Sequence, residues 1–402
     1  MSGNENKVFS SNYSIKRFAV FFLIMLLWIP HRSISASAST IARGYVTPEM
    51  FGAVGDGIVN DTAAFEKMTV MMNENMLYAV LTKCYLVDSV TLPRGCMLLS
   101  EGGSLKKNPK NEKNYSILEL GDNCIVEGLT LIGDRDKNYT NAEWGHCLRI
   151  NGSNCVVRNC TMKDAHGDGI YIRGNNARIS SCQIDRAYRN GISVTNGLNF
   201  LIEDTVIRNV AGTAPQFGID IEPNYPNDLA SGLIKNVNII NCQGGILIYL
   251  GEQLKKPAYI QCVDTTVEKA GARRSVSLYS ANDSSNELLF DNISIIEPSP
   301  NAQSFVKMQF KGSDNPKLYF NCSVINGTNE NAMEIEAKNP ACNNPMDIIL
   351  RSNGWRKKGD DMDEDIIVDS SNKNISIYTN LDVKSENYTT SVFHLNNQTG
   401  NE

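Results

Sequence analysis

The chain is poor in the residues that build metal and redox centres. It has four histidines, His31, His146, His166 and His394, and none of its eleven cysteines belongs to a Cys-x-x-Cys pair. A structural zinc site, which groups four thiolate or imidazole ligands, therefore has no support. An odd cysteine count whose spacing follows an internal repeat also makes a poor disulfide framework. Cys160 and Cys182 hold the same position in successive repeats, which predicts small buried core residues. Long apolar runs are missing: the segment Phe18 to Ile29 is shorter than the ~20 residues that span a bilayer. Preceded by Lys16 and Arg17 and followed by Ala36-Ser37-Ala38, it reads as a secretory signal peptide over residues 1–38. The expectation is an exported protein, secreted, periplasmic or at the cell surface, with no membrane span after cleavage. Excess positive charge is absent too. Losing Lys7, Lys16, Arg17 and Arg32 together with Glu5 moves the formal charge from −6 to −9, which argues against a nucleic-acid partner. With 20% charged and 42% hydrophobic residues the composition is that of a folded protein.

What the chain does have is repetition. Gly169-Ile170-Tyr171-Ile172 aligns with Gly191-Ile192-Ser193-Val194, Gly218-Ile219-Asp220-Ile221 and Gly245-Ile246-Leu247-Ile248 at intervals of 22, 27 and 27 residues. Cys147-Leu148-Arg149-Ile150 extends the series backwards. A second ladder, with apolar or small residues at relative positions 0, 3 and 5, runs in step: Val126/Leu129/Leu131, Val157/Cys160/Met162, Ile179/Cys182/Ile184, Ile202/Thr205/Ile207 and Ile234/Val237/Ile239. These turns are too short for a β-α unit of 30 or more residues, and their alternation is that of half-buried strands. The pattern predicts an all-β, right-handed, single-stranded parallel β-helix in which no coil buries its apolar face until a neighbour stacks on it. One elongated domain is expected: an N-terminal cap and first turns over 39–123, repeats over 124–330, and C-terminal turns, a cap and a mobile tail over 331–402.

Ahead of the repeats stand Phe51-Gly52-Ala53-Val54-Gly55-Asp56-Gly57 and Asn60-Asp61-Thr62-Ala63-Ala64-Phe65. This stretch resembles the opening of the pectate-lyase-like (pectin-lyase-fold) superfamily, and the resemblance extends over residues 44–330. The glycines permit tight turns, and Asn60 or Asp61 can cap a helix over Thr62 to Met76 that closes the solenoid's open end. Asp56 and Asp61 thus have structural rather than catalytic roles. The resemblance implies action on acidic or complex polysaccharides by lyase, hydrolase or epimerase chemistry, or glycan binding as in tailspikes and surface proteins. The ordered Asn-Thr-Asp, Asp-Asp, Gly-His-Gly and Arg-Ile-Lys motifs of polygalacturonase-like hydrolases are missing, as are the calcium and arginine patterns of typical pectate lyases. Trimers are common among spike-like β-helices, although nothing in these residues calls for a homotrimer.

Strand parity maps the surface. If Ile170 and Ile172 face the core, one outward column reads Arg149, Tyr171, Ser193, Asp220, Leu247 and a second reads Asn151, Arg173, Thr195, Glu222, Tyr249. Arginines, tyrosines and carboxylates so mixed suit a carbohydrate groove. Hydrolysis needs two carboxyls, and Asp220 with Glu222, ~7 Å apart at i and i+2, fall near the lower edge of the inverting range; the bland reading is a solvated strand face. β-Elimination or epimerisation needs a base and a charge neutraliser, for which His166, Tyr188 and Arg189 offer base, acid and cation; His166 alternatively serves as a turn residue bonded to backbone. Asp168 and His146 occupy equivalent turn positions and join the site candidates. Substrate-binding candidates are Arg149, Tyr171, Arg173, Tyr188, His146, Trp144 and Tyr249. No cofactor is required. Ca²⁺ on Asp164, Asp168 or Asp220 is the alternative neutraliser, without a dense acidic cluster to support it.

The insertion 133–144 lengthens one turn to 31 residues and carries Trp144, a sugar-stacking candidate or a buried loop anchor. Residues 211–217 and 223–228 are expected to flank the same groove. Beyond residue 330 the repeat fades; Asp360 to Asp365 read as a solvated charged loop and the tail after Glu386 as mobile. The leading expectation is an exported polysaccharide-active enzyme. Its alternative is a non-catalytic glycan-binding or spike-like surface protein of the same fold.

Overall fold

The computed structural model describes residues 44–395, apart from single positions and the short stretches 111–114, 137–141, 313–315, 338–343, 358–365, 371–374 and 387–392. The expected signal segment, the acidic run 360–365 and most of the tail lie outside the described residues. Helix α1, Thr62–Asn75, follows two short strands, Tyr45–Val46 and Asp56–Asn60, near the start of the described residues. Phe65, Met68 and Met72, spaced to fall on one helical face, are buried over the first coils. The Asp61 carbonyl receives the first helical N–H groups of Ala64 and Phe65, and Asn60 Oδ1 takes the Thr62 N–H. The Asp61 carboxylate instead ties down Val54 and Gly55 through their N–H groups, at 2.7 and 3.2 Å.

From there the chain winds as a parallel solenoid. One wall is a twelve-stranded sheet that runs in chain order from Val90–Leu92 to Val383–Glu386, one strand per coil. The remaining walls belong to a 22-stranded sheet. In the twelve-stranded wall Leu148, Ile170, Ile192, Ile219 and Ile246 stack in register, as do Ile150, Ile172, Val194, Ile221 and Ile248. All are fully buried. Opposite them pack the Val157/Met162, Ile179/Ile184, Ile202/Ile207 and Ile234/Ile239 rungs, so each coil completes the core of the last.

Two sequence features explain why the coils can stack this closely. Gly169, Gly191 and Gly218 have ordinary φ, yet a Cβ added at any of them would strike the backbone oxygen of the next coil and the isoleucine across the core; for Gly169 these are Gly191 O at 2.7 Å and Ile184 at 2.5 Å. Glycine leads the strand because nothing larger fits. The corners use single left-handed residues: Asn123, Asn154, Asn176 and Asn199 form one column, with φ of 57°, 60°, 55° and 56°. Asparagine tolerates this conformation, and each side-chain amide donates to the corner asparagine of the coil before it, at 3.0, 2.8 and 3.3 Å.

The solenoid does not end where the sequence repeat fades. Strands Asn331–Ala337, Ile366–Ser370 and Val383–Glu386 extend the twelve-stranded wall, and Met346–Asn353, Ile375–Thr379 and Phe393–Leu395 extend the other. Their inward residues Met333, Ile335, Ile366 and Val368 keep the alternation without the Gly-led motif. Ten cysteines are described and all are free thiols. Cys160 and Cys182 are buried in adjacent coils, and their mutual contact, with burial, pushes the Cys182 thiol up.

Candidate active-site face

The face of the twelve-stranded wall that points away from the core has the column Arg149, Tyr171, Ser193, Asp220, Leu247, paired in that order. Its exposure is not what parity predicts. Ser193 is fully buried, Asp220 is 1% exposed and Tyr171 is 9% exposed. The physical reason is that the residue entering each strand folds back over it.

These entering residues form a ladder of their own. His146, Asp168 and Asn190 are fully buried, and each side chain accepts the backbone N–H of its counterpart one coil later. His146 Nδ1 takes the Asp168 N–H at 3.2 Å, Asp168 Oδ1 the Asn190 N–H at 3.0 Å, and Asn190 Oδ1 the Phe217 N–H at 3.0 Å. His146 Nδ1 also lies 3.5 Å from Asp168 Oδ2, but an imidazole that accepts at Nδ1 carries its proton on Nε2 and is neutral. Burial agrees, holding its pKa down to about 4 despite the neighbouring Asp168.

Asp168 spends its charge on Arg189, whose Nη1 reaches both carboxylate oxygens at 3.1 and 3.2 Å. Burial alone would lower the Arg189 pKa; Asp168, then Asp220 and Glu222, hold it raised. Asn190 Nδ2 reaches Asp220 Oδ2 at 2.8 Å and Ser193 Oγ at 3.0 Å. Asp168 and Asp220, two coils apart, are thus bridged by one asparagine. Asp220 Oδ1 is buried and has no hydrogen-bond partner among the described residues. Burial first, then the charges of Glu222 and Asp168, push the Asp220 carboxyl well above the usual range. Glu222, half-buried, is raised by its own burial and by Asp168 and Glu143, while Arg189 pulls the other way.

Four of the five catalytic candidates, Asp168, Arg189, Asp220 and Glu222, therefore lie in one electrostatic cluster. His166 is turned to another: its ring stacks on Tyr188 at 5.6 Å and 9°, and the Arg135 guanidinium covers the Tyr188 ring at 5.6 Å. The expected trio of His166, Tyr188 and Arg189 is split, because Arg189 points to Asp168. The binding candidates are also engaged. Arg149 lies 5.4 Å from both the Trp144 and Tyr171 rings and donates to Asn151. Tyr171 stacks on His146 at 4.6 Å and accepts the Thr195 hydroxyl at 2.9 Å. Arg173 holds the 223–228 loop through Asp228 and the Tyr225 ring. Trp144 is 45% exposed rather than a buried anchor, and Tyr249 stacks on Tyr279 at 4.5 Å.

Sequence reasoning passed over Asn190 and Glu143 as site residues. Asn190 had a signal, its place one residue before a motif glycine like Asp168; Glu143, on the short helix Ala142–Trp144 of the insertion, had none. A Ca²⁺ ion does not fit the expected ligands. Asp168 faces Arg189, Asp164 takes Arg186 Nε at 2.6 Å, and among the described residues no three His, Cys, Asp or Glu side chains group to hold a metal.

The Beta_helix family, described as the right handed beta helix region, matches residues 117–293. The chain folds as a right-handed parallel β-helix. The β-helix is 32% identical over 162 residues to the uncharacterized protein YclG of Bacillus subtilis (strain 168), a match spanning 34% of this chain and only 28% of that relative's length. It superposes on the Dettilon tailspike protein gp208 with a TM-score of 0.50 at 13% identity, covering 87% of this chain and 68% of the tailspike. The A-module of the Azotobacter vinelandii mannuronan C-5 epimerase AlgE4 gives 0.47 at 13% identity, covering 87% and 100%. At 13% identity the likeness to the tailspike is one of fold. No helix among the described residues is long and apolar enough to cross a membrane.

Proposed function

We propose that this β-helix is an exported glycan-active enzyme that hydrolyses glycosidic bonds at the Asp168–Arg189–Asp220–Glu222 cluster. The observation that carries this reading is the contrast between two carboxyls two residues apart on one strand face. Asp220 is buried and its carboxyl is pushed well above the usual range, whereas Glu222 is half-buried and its upward shift is opposed by Arg189. Two carboxyls whose surroundings push their proton affinities apart are the requirement for an acid and a base, and their ~7 Å strand spacing is near the lower limit for inversion. Glu222 is the carboxyl that meets the sugar and its attacking water; Asp220 supplies the acid proton. Arg189, already paired with Asp168, keeps the cluster from accumulating unbalanced negative charge. β-Elimination is the weaker fit, since it needs a cation free to take up a uronate carboxylate and a base beside it, and His166 stands with Tyr188 instead.

One observation favours a second reading, glycan binding without turnover: Asp220 is only 1% exposed, so its proton reaches a sugar only if the site opens.

The test incubates the purified protein with acidic and neutral polysaccharides while following new reducing ends and the ultraviolet absorbance of unsaturated uronate. Reducing ends alone are expected, with Glu222→Gln slowing their appearance by about a hundredfold or more. Absorbance growing with the reducing ends would replace hydrolysis by elimination. Saturable binding of a polymer without either signal would establish the binding reading.

A further inference from the structure

Asn190 makes five hydrogen bonds from a fully buried position, one of them through its carbonyl to the Gly169 N–H, and together they leave its orientation no freedom. Its side-chain oxygen accepts the Phe217 backbone N–H at 3.0 Å, a group that can only donate. The amide therefore cannot be flipped. Its Nδ2 must be the atom that faces Asp220 Oδ2 at 2.8 Å and Ser193 Oγ at 3.0 Å. Its own backbone N–H is committed to Asp168 Oδ1. Since Nδ2 is a donor, Asp220 Oδ2 is an acceptor, a role that a carbonyl oxygen fills better than a hydroxyl oxygen. That leaves Oδ1, buried and without a hydrogen-bond partner among the described residues.

We propose that Asn190 is a positioning residue that locks Asp220 in one orientation, with Oδ2 as the carbonyl oxygen and Oδ1 as the hydroxyl oxygen whose proton is offered to an oxygen of the bound glycan. The inference rests on the hydrolytic reading for the ligand but not for the proton's place. A buried O–H with no acceptor is an incomplete hydrogen bond, and a glycosidic or hydroxyl oxygen is an acceptor of the kind that completes it. Asn190 is not a catalytic residue, because every atom it uses is spent on protein groups. Its effect passes through Asp220.

The test is infrared spectroscopy of the folded protein at neutral pH, which reads the carbonyl stretch of a protonated carboxyl directly. The wild-type protein should show one such band that Asp220→Asn abolishes. In Asn190→Ala the band should persist and move to higher wavenumber, because a carbonyl that loses a hydrogen bond stiffens. If Asn190→Ala does not fold, Asn190→Leu, close to asparagine in size, also removes the donor to Oδ2 and should move the same band. A band absent from the wild type, retained in Asp220→Asn, or unmoved in the folded Asn190 variant would each overturn the proposal. Because the band is read without substrate, an Asn190-dependent band in a protein that cleaves no glycan would defeat the hydrolytic reading and leave the positioning role standing.

Discussion

His146 is the residue whose environment writes the clearest signature on stability. Its ring is wholly buried, stacked on Tyr171 and used as an acceptor by Asp168, and burial lowers its pKa from 6.5 to about 4. Between those values the unfolded chain takes up a proton that the native state refuses, so stability present at neutral pH is lost as the pH falls through the window. The full loss is roughly 3 kcal/mol. Chemical denaturation at stepped pH values should show that decline, and His146→Gln should flatten it between pH 6.5 and 4; an unchanged slope would place the titration elsewhere. Asp220 acts with the opposite sign. Its folded value lies well above 3.8, so its contribution is complete at low pH and is lost as the pH rises through that folded value. At this scale the sequence was legible in direction but not in depth. Alternation correctly set Arg149, Tyr171, Ser193 and Asp220 in one column, yet it describes only the strand. That Asn190 and Asp168 fold back and bury the column depends on turn conformation, which periodicity does not encode.

At the scale of elements, the insertion and the turns decide what the face looks like. Arg135 anchors the start of the 133–144 insertion across several coils: Nη1 donates to the Arg186 and Ala187 carbonyls, and Nη2 to the Ala211 carbonyl. Three backbone oxygens captured by one guanidinium make a strong local staple, since hydrogen bonds to a charged group contribute about 1.5–3 kcal/mol each. Arg135→Ala should release Gly133–Asp136 and the 186–188 and 211–213 turns to fast amide exchange, with little change elsewhere. Hydrogen-exchange mass spectrometry checks this, and uniform protection would show that the insertion is held by other contacts. The insertion itself was legible as a lengthened turn. Its attachment was not, because Arg135 finds its partners 51 to 76 residues away in sequence. The Gly-led motif was equally visible, while its cause, a carbonyl of the next coil where a Cβ would sit, emerges only once the coils are stacked.

For the whole molecule, cohesion comes from repeated contact between neighbours. The core residues run continuously from Phe65 in the cap helix to Ile377, and none of the ten described cysteines is cross-linked. Thermal unfolding should therefore give the same midpoint with and without a thiol reductant; a midpoint that drops on reduction would reveal a bridge. Nine of these ten thiols are buried, Cys84 being half-buried, and burial keeps them away from oxidants. The sequence made the solenoid visible up to about residue 330 because Gly-led strands from Gly169 to Gly245 and an apolar ladder running in step with them set the period. Further on, Met333, Ile335, Ile366 and Val368 preserve only the alternation, and alternation alone does not announce a period.

The same hydrogen-bonded stacking bears on how the protein ages. Asn151-Gly152, Asn190-Gly191 and Asn196-Gly197 are three of the chain's five Asn-Gly dipeptides, the kind most prone to spontaneous deamidation, which begins when the glycine nitrogen attacks the asparagine side chain. In the folded β-helix each of those nitrogens is already bonded to a carbonyl of another coil, Leu120, Phe217 and Leu229 at 3.0, 3.0 and 2.7 Å. Winding the chain into coils thus disarms three chemical clocks that would run freely in the unfolded polypeptide, and the positions that shape the acidic face keep their amides for as long as the coils stay stacked.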